Sequence, residues 1–169
     1  MTIGNWDDVA VNDPTLRASV ISVLKGLLPS GEDITLAASA ARGATAGTNG
    51  TAVAIDGSRR RFIVLIEFTA KATDANDTCD VYVDVLIGST WINAIHFTQA
   101  LGNGTDAAKE FAILDPANPG TSAINVTSDA SSGAVRPAAF GSQMRARWVI
   151  VDPTGANASF TFSVIAYAV

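Results

Sequence analysis

The residues most able to do chemistry in this sequence are two aspartates and a histidine in the stretch DVYVDVLIGSTWINAIHF, residues 80–97. An Asp/His pair can act as the base of a catalytic triad if a nucleophile lies within hydrogen-bond reach of the imidazole. The chain has no Gly-x-Ser-x-Gly elbow to present a serine, and Cys79 has no basic neighbour in the sequence to lower its pKa. We therefore expect Asp80 and Asp84 to face water and His96, the only histidine, to be structural. The protein is not expected to be an enzyme.

A second candidate site is the turn DANDTCD, in which Asp74, Asp77 and Asp80 recur every three residues. Carboxylate oxygens in a turn can bind calcium. The EF-hand spacing and its terminal Glu are absent, however, and Asp and Asn are common in turns because their side chains bond to nearby backbone. These residues leave calcium binding open. We expect no other metal and no cofactor.

The composition excludes several classes of protein. A net charge of -5 over 169 residues argues against nucleic-acid binding, and the one dense basic cluster, residues 59–61, is typical of a solvated strand edge. No apolar run approaches the roughly 20 residues of a membrane helix. The N-terminus lacks the features of a secretory signal. Cys79 is the only cysteine, so no internal disulfide is expected.

The N-terminal part predicts an arm followed by one short helix. In the arm, residues 1–12, three apolar residues lie among polar ones and could anchor the chain to another surface: Ile3, Trp6 and Val9. The alternative is that Trp6 folds back onto its own domain. The helix is predicted over residues 14–28, after a capping Asp13 and before Pro29. Its apolar stripe is expected to cover an open end or face of the domain: Leu16, Val20, Val23, Leu24 and Leu27.

From about residue 33 the pattern is that of β-strands. Eight or nine short alternating segments are separated by turn residues, with almost no helix between them, which predicts an all-β antiparallel sandwich over residues 13–169. A jelly-roll connection is the first choice, and an up-and-down barrel is the second. Strict alternation places His96 on the face of Ile92 and Ala94, and it directs Trp91 and Trp148 to the core. The principal inward positions are Phe62, Val64, Ile66, Phe68 and Ala70, Val81, Val83, Val85 and Ile87, Met144, Ala146, Trp148 and Ile150, and Phe160, Phe162, Val164 and Ala166.

Two parts of the chain, residues 59–114 and 143–169, resemble a recurrent type of small virion protein of tailed bacteriophages and prophages. The matching features are an Asp-rich turn before DVYV, the hairpin W…IHFTQ.LGNG, and the ending R.RW.V…SFTFSV.A. The resemblance implies a β-sandwich subunit at the capsid surface, a cement or decoration protein, assembled in the host cytoplasm. It also implies a homotrimer with the major capsid protein as partner. The matching residues mark strands and turns, so no functional residues carry over.

Two other functions stay open at this point. The chain could be another virion component, such as a head–tail, tail or fibre protein. It could also be a carbohydrate-binding β-sandwich, which would need an exposed aromatic platform. A hydrolase is disfavoured because its residues are missing.

Overall fold

The computed structural model describes residues 31–44, 48–56, 61–104, 108–118, 123, 127–155 and 158–168. The chain divides between Gly31 and Glu32 into two compact units, and all described residues except Gly31 belong to the second, Glu32–Val169. The predicted arm with Ile3, Trp6 and Val9, and the helix predicted over residues 14–28, lie outside the described residues. Within the described part, no helix has the length and hydropathy needed to span a membrane.

The described residues form strands joined by turns. Alternating β-branched and aromatic residues favour strands, and Gly-, Asn- and Asp-containing turns end them. At one such turn, Gly88 takes a positive φ of 62° in the two-residue hairpin loop before Thr90. The strands are β1 (Glu32–Gly43), β2 (Thr48–Asn49), β3 (Val53–Ala54), β4 (Phe62–Ala70), β5 (Thr78–Ile87), β6 (Thr90–His96), β7 (Ala100–Leu101), β8 (Lys109–Leu114), β9 (Ala134–Val135), β10 (Gln143–Val151) and β11 (Ser159–Ala168).

These strands make two antiparallel sheets. The four-stranded sheet has the order β1-β11-β4-β8, and the seven-stranded sheet has the order β2-β10-β5-β6-β9, with β3 paired to β10 and β7 to β5. The inner faces share one apolar core. In it the Trp148 ring of one sheet packs edge-on against the Phe162 ring of the other, with 5.7 Å between the ring centroids. The predicted all-β antiparallel sandwich is confirmed.

The core follows the predicted alternation in four strands. The inner sides of β4, β5, β10 and β11 carry most of the largest fully buried residues, and each such side chain contributes roughly 1.5–3 kcal/mol. The pattern ends early in two of these strands, because Ala70 and Ile87 are exposed. The fully buried residues include Phe62, Val64, Ile66, Val81, Val83, Val85, Met144, Phe160 and Phe162.

Strand β6 breaks the alternation at a β-bulge. Val83 pairs with Ile95, but the next residue of β5, Asp84, pairs with Asn93, so Ala94 is the extra residue. A bulge shifts all later side chains to the opposite face. His96 is therefore paired with Tyr82 on the outer face of the sheet, while Ala94 stays in the core. The prediction that His96 shares the face of Ile92 and Ala94 is wrong for this reason.

Candidate functional site

The polar residues singled out in the sequence meet on the outer face of the seven-stranded sheet. β5 contributes Asp80, Tyr82 and Asp84, and β10 contributes the two arginines that pair with Asp84 and Tyr82 across the strands. The bulge in β6 adds Asn93 and His96 to the same face. The chain connection that includes β9 lies over these side chains. The part of it formed by residues 127–136 is called here the covering segment. Together the side chains form a buried polar network: Asp80, Tyr82, Asp84, Asn93, His96, Arg145 and Arg147.

His96 joins β5 to the covering segment. Its Nδ1 lies 2.7 Å from the Ala130 carbonyl oxygen and its Nε2 lies 2.9 Å from Asp80 Oδ1. A carbonyl oxygen only accepts, so Nδ1 carries the hydrogen of that bond. Asp80 is also bound by Gln99, whose Nε2 donates to Oδ2 at 2.8 Å. Because both ring nitrogens of His96 already face acceptors, neither is placed to take a proton from a nucleophile.

Cys79 is likewise unsuited to nucleophilic chemistry. It lies on the inner side of β5 with no exposed surface. Burial, with a smaller effect from Asp80, raises the pKa of the thiol to about 12. The thiolate is the reactive form, so this cysteine is an apolar core residue.

Asp84 is buried, contrary to the prediction that it faces water. The residue is 3% exposed, and its Oδ2 accepts from Arg147 Nε at 3.1 Å and lies 3.4 Å from Arg145 Nη2. Arg147 also donates to Asp129 of the covering segment at 2.6 Å. Burial opposes the charge on Arg147, but the two carboxylates outweigh it and raise its pKa. This network could not be predicted from the sequence, because Asp84 and its arginines lie about 60 residues apart along the chain.

Trp91 also departs from its prediction, because it lies on this outer face and not in the core. The Arg145 guanidinium stacks over its ring, with Cζ 4.1 Å from the ring centroid. Arg147 stacks in the same way over Tyr82, with Cζ 4.0 Å from the centroid. Trp148 is in the core as predicted. Neither tryptophan offers an open aromatic platform.

The covering segment is fastened to β6 by several hydrogen bonds. Asn93 Oδ1 accepts from the Ala130 amide at 2.8 Å, and Arg136 donates to the Asn93 carbonyl at 3.1 Å and to the Ser128 carbonyl at 2.9 Å. β9 adds a short ladder to β6 through Ile95. The network is thus enclosed and, apart from Arg145 Nε, which is buried without a hydrogen-bond partner, it is satisfied within the described residues. This suits a structural role better than a binding one.

The Asp-rich turn does not gather its three carboxylates. Asp80 points to His96, while Asp74 accepts from the Asn76 amide at 2.9 Å and from Thr154 Oγ1 at 3.0 Å. Asp77 is 2% exposed, and burial, then Asp152 and Asp74, raise its pKa. Among the described residues, no group of three acidic, His or Cys side chains is placed to hold a metal ion.

A second surface feature is the outer side of the four-stranded sheet, which is apolar. Strands β4, β8 and β11 present neighbouring apolar side chains there, around a depression of about 480 Å³. Part of this feature is visible in the sequence, since both faces of β4 begin with apolar residues. These residues are called here the apolar face: Ile63, Leu65, Phe111, Ile113, Ile165 and Tyr167.

Comparison with known proteins gives little further information. No protein-family model and no curated protein matches the chain. A solved structure of the infectious bursal disease virus Gx strain aligns with a TM-score of 0.40 and 10% sequence identity. The alignment covers 82% of this chain and 31% of that chain. A likeness of this degree does not define a function.

Proposed function

We propose that this chain is a structural virion protein, a cement or decoration subunit that binds the assembled head of a tailed phage. The proposal includes the homotrimer and the major capsid protein as partner, which the sequence resemblance implies. It also includes a non-enzymatic role and a place on the capsid surface.

The observation that carries the proposal is the placement of the motif residues. The DVYV motif supplies Val81 and Val83 to the core, and IHFTQ supplies His96 and Gln99 to the polar network around Asp80. The R.RW motif supplies the arginines of that network and a core tryptophan. The residues on which the resemblance depends therefore maintain a rigid scaffold. This supports a protein whose task is to keep its shape while bound to others.

The strand order supports a jelly-roll arrangement, which we infer for this sandwich. If β2 and β3 count as one strand and β6 and β7 as another, and β9 is set aside, eight successive strands remain. Their orders are then 1-8-3-6 and 2-7-4-5 in the two sheets. Double-sheet jelly rolls occur in viral capsid and lectin domains, an analogy that concerns the fold alone. Of the two described tryptophans, Trp91 is stacked and Trp148 is buried, so the described residues offer the lectin alternative no tryptophan platform.

A cement subunit would act by mass action. A ligand that binds the assembled shell and not the free capsid subunits stabilises the shell by the free energy of its binding. Many copies around one head would together oppose the internal pressure of packaged DNA. The apolar character of this chain, with 16% charged residues, suits close packing against neighbours.

Co-sedimentation tests the proposal. The major capsid protein encoded in the same genome is assembled into shells, mixed with the purified chain and separated on a gradient. We expect the chain to travel with assembled shells and not with free capsid subunits, and the shells to resist heat better when it is bound. Absence from shells together with presence in purified tails would favour the alternative of a tail or fibre component.

A further inference from the structure

We propose that a second copy of this chain packs on the apolar face of the four-stranded sheet. This contact is between copies of the chain, and it does not depend on the proposed virion role. None of the described residues covers this face, so it is available as an interaction surface.

The register of the sheet places the apolar face in two neighbouring rows. In one row Tyr167 pairs with Ile63, which pairs with Ile113. In the next row Ile165 pairs with Leu65, which pairs with Phe111. Side chains two residues apart along each strand point to the same side, so the two rows form one continuous patch. The outer face of an antiparallel sandwich is usually polar where it meets water, and this one is not.

The size of the patch fits the centre of a protein interface. Five of its six side chains are 36% to 67% exposed. Together they leave on the order of 500 Å² of apolar surface in water, which is near the upper range for the largest patch on a monomer. A stable interface buries about 800 Å² on each partner, so the patch would supply more than half of it.

The charges around the apolar face favour a copy of the chain as the occupant. Glu67 and Lys109 form an ion pair of 2.7 Å beyond one end of the rows, and Arg61 and Asp115 form one of 2.6 Å near the other end. The chain as a whole has a net charge of -5, which makes two copies repel each other over most of their surface. Asp33, which pairs with Tyr167 and lines the depression, adds one exposed carboxylate at the border of the apolar face. The described border therefore carries two ion pairs and a single excess negative charge, so two copies can meet here with little opposition of like charges. A strongly basic partner would find only this one excess negative charge at the described border.

Phe111 is the expected anchor of the contact. It is 67% exposed, the highest value among the exposed large apolar residues. Its strand, β8, is the last in the order of the four-stranded sheet, and among the described strands it pairs only with β4. Large aromatic residues at the centre of an interface carry much of its binding energy.

Light scattering and sedimentation equilibrium on the full chain test the proposal. We expect the wild-type protein to be oligomeric. In Phe111→Asp the dissociation constant of the oligomer should rise roughly tenfold or more, the usual cost of losing an interface anchor. Val151→Asp is the matched control, because Val151 is 48% exposed but lies on the other sheet. It should associate like wild type. Circular dichroism and melting must show all three proteins folded. Leu65→Lys serves as a second variant in case Phe111→Asp does not fold.

The mass of the complex also reports its geometry. A dimer fits the apolar face meeting the same face of its partner, and a trimer fits this face meeting a different patch of the next copy. A wild-type protein that stays monomeric at its highest soluble concentration would overturn the proposal. So would an oligomer that neither Phe111→Asp nor Leu65→Lys weakens. Neither result depends on shell binding, so this inference and the virion role can fail separately.

Discussion

Asp84 and Asp77 are both buried carboxylates, but their surroundings are opposite. Asp84 is held by two arginines, while Asp77 Oδ1 has no hydrogen-bond partner among the described residues. Carboxylates at Asp152 and Asp74 lie close enough to Asp77 to oppose its charge. A buried charge is tolerated when paired and costly when unpaired. The same residue type should therefore stabilise the protein at one position and weaken it at the other.

The first prediction concerns Asp84→Asn. The substitution keeps the size of the side chain but leaves Arg145 and Arg147 without their shared counter-charge, which typically costs about 3–5 kcal/mol. Urea unfolding at pH 7 measures the loss. Glu67→Gln is the control, since it removes an exposed ion pair with Lys109 worth at most about 1 kcal/mol. Equal losses in the two variants would show that the Asp84 network does not support the fold.

The second prediction concerns the pH dependence of Asp77→Asn. Burial and the neighbouring carboxylates raise the pKa of Asp77 in the folded protein above its unfolded value. Its contribution to stability is then fully present below the unfolded value, near pH 3.9, and is lost as the pH rises through the folded pKa. Asp77→Asn should therefore raise the urea midpoint at pH 7, and the gain should shrink as the pH approaches 4.

Asp74→Asn provides a control of opposite sign. The Asn76 amide, followed by the Thr154 hydroxyl, lowers the pKa of Asp74. Its contribution is present above the unfolded pKa and is lost as the pH falls through the folded value. Asp74→Asn should lower the urea midpoint at pH 7. If both variants shifted the midpoint in the same direction, the two aspartates would not differ as described.

At the scale of the element, uninterrupted strands could be predicted from the sequence and interrupted ones could not. The inner faces of β10 and β11 follow period two from end to end, so their buried residues were identified correctly. In β6 one bulge residue reverses the later side chains, and nothing in the stretch around Asn93 marks it. The Ser, Gly and Ala residues of the covering segment predict a connection between strands. Its position over the polar network depends on contacts distant in sequence, such as that of Asp129 with Arg147.

The third prediction separates true burial in β5 from simple alternation. Val83 is fully buried, whereas Ile87 is 47% exposed although alternation assigns it to the same face. Val83→Asp would bury an unpaired charge and should leave no soluble folded protein. Ile87→Asp should fold and melt close to wild type. Soluble expression and thermal melting of both variants test this difference in burial. A Val83→Asp protein that melts like wild type would show that Val83 does not lie on the buried side of β5.

The fourth prediction concerns the attachment of the covering segment. Asn93→Ala removes the acceptor of the Ala130 amide and a donor to the Ile95 carbonyl, while β5 keeps its ladder with β10. Losing bonds worth about 1 kcal/mol each should speed amide exchange in residues 127–136 roughly tenfold. Amides of β5 should exchange as before. Thr90→Ala, at the exposed start of β6, is the control and should change neither region.

At the scale of the whole molecule, the two sheets differ in how their outer sides are completed. The seven-stranded sheet carries its own cover, which encloses arginines and carboxylates that balance one another. The four-stranded sheet presents an apolar face whose described border carries two ion pairs and one further carboxylate, Asp33. One side of the sandwich is thus satisfied within the chain, and the other is suited to association. This asymmetry is what a subunit of a larger assembly requires, and it agrees with the proposed role.

The fifth prediction concerns the N-terminal arm. No member of the described core precedes Leu36, so deleting residues 1–12 should leave the melting temperature of the sandwich unchanged. The same deletion should weaken co-sedimentation with capsid shells, because Ile3, Trp6 and Val9 are the residues expected to anchor the chain there. Trp6→Ala alone should also weaken co-sedimentation, because a single tryptophan can carry much of an interface's binding energy. Its effect should be smaller than that of the deletion, which also removes Ile3 and Val9. Full shell occupancy by the truncated protein would remove the arm from the attachment mechanism and leave the folded unit to provide it.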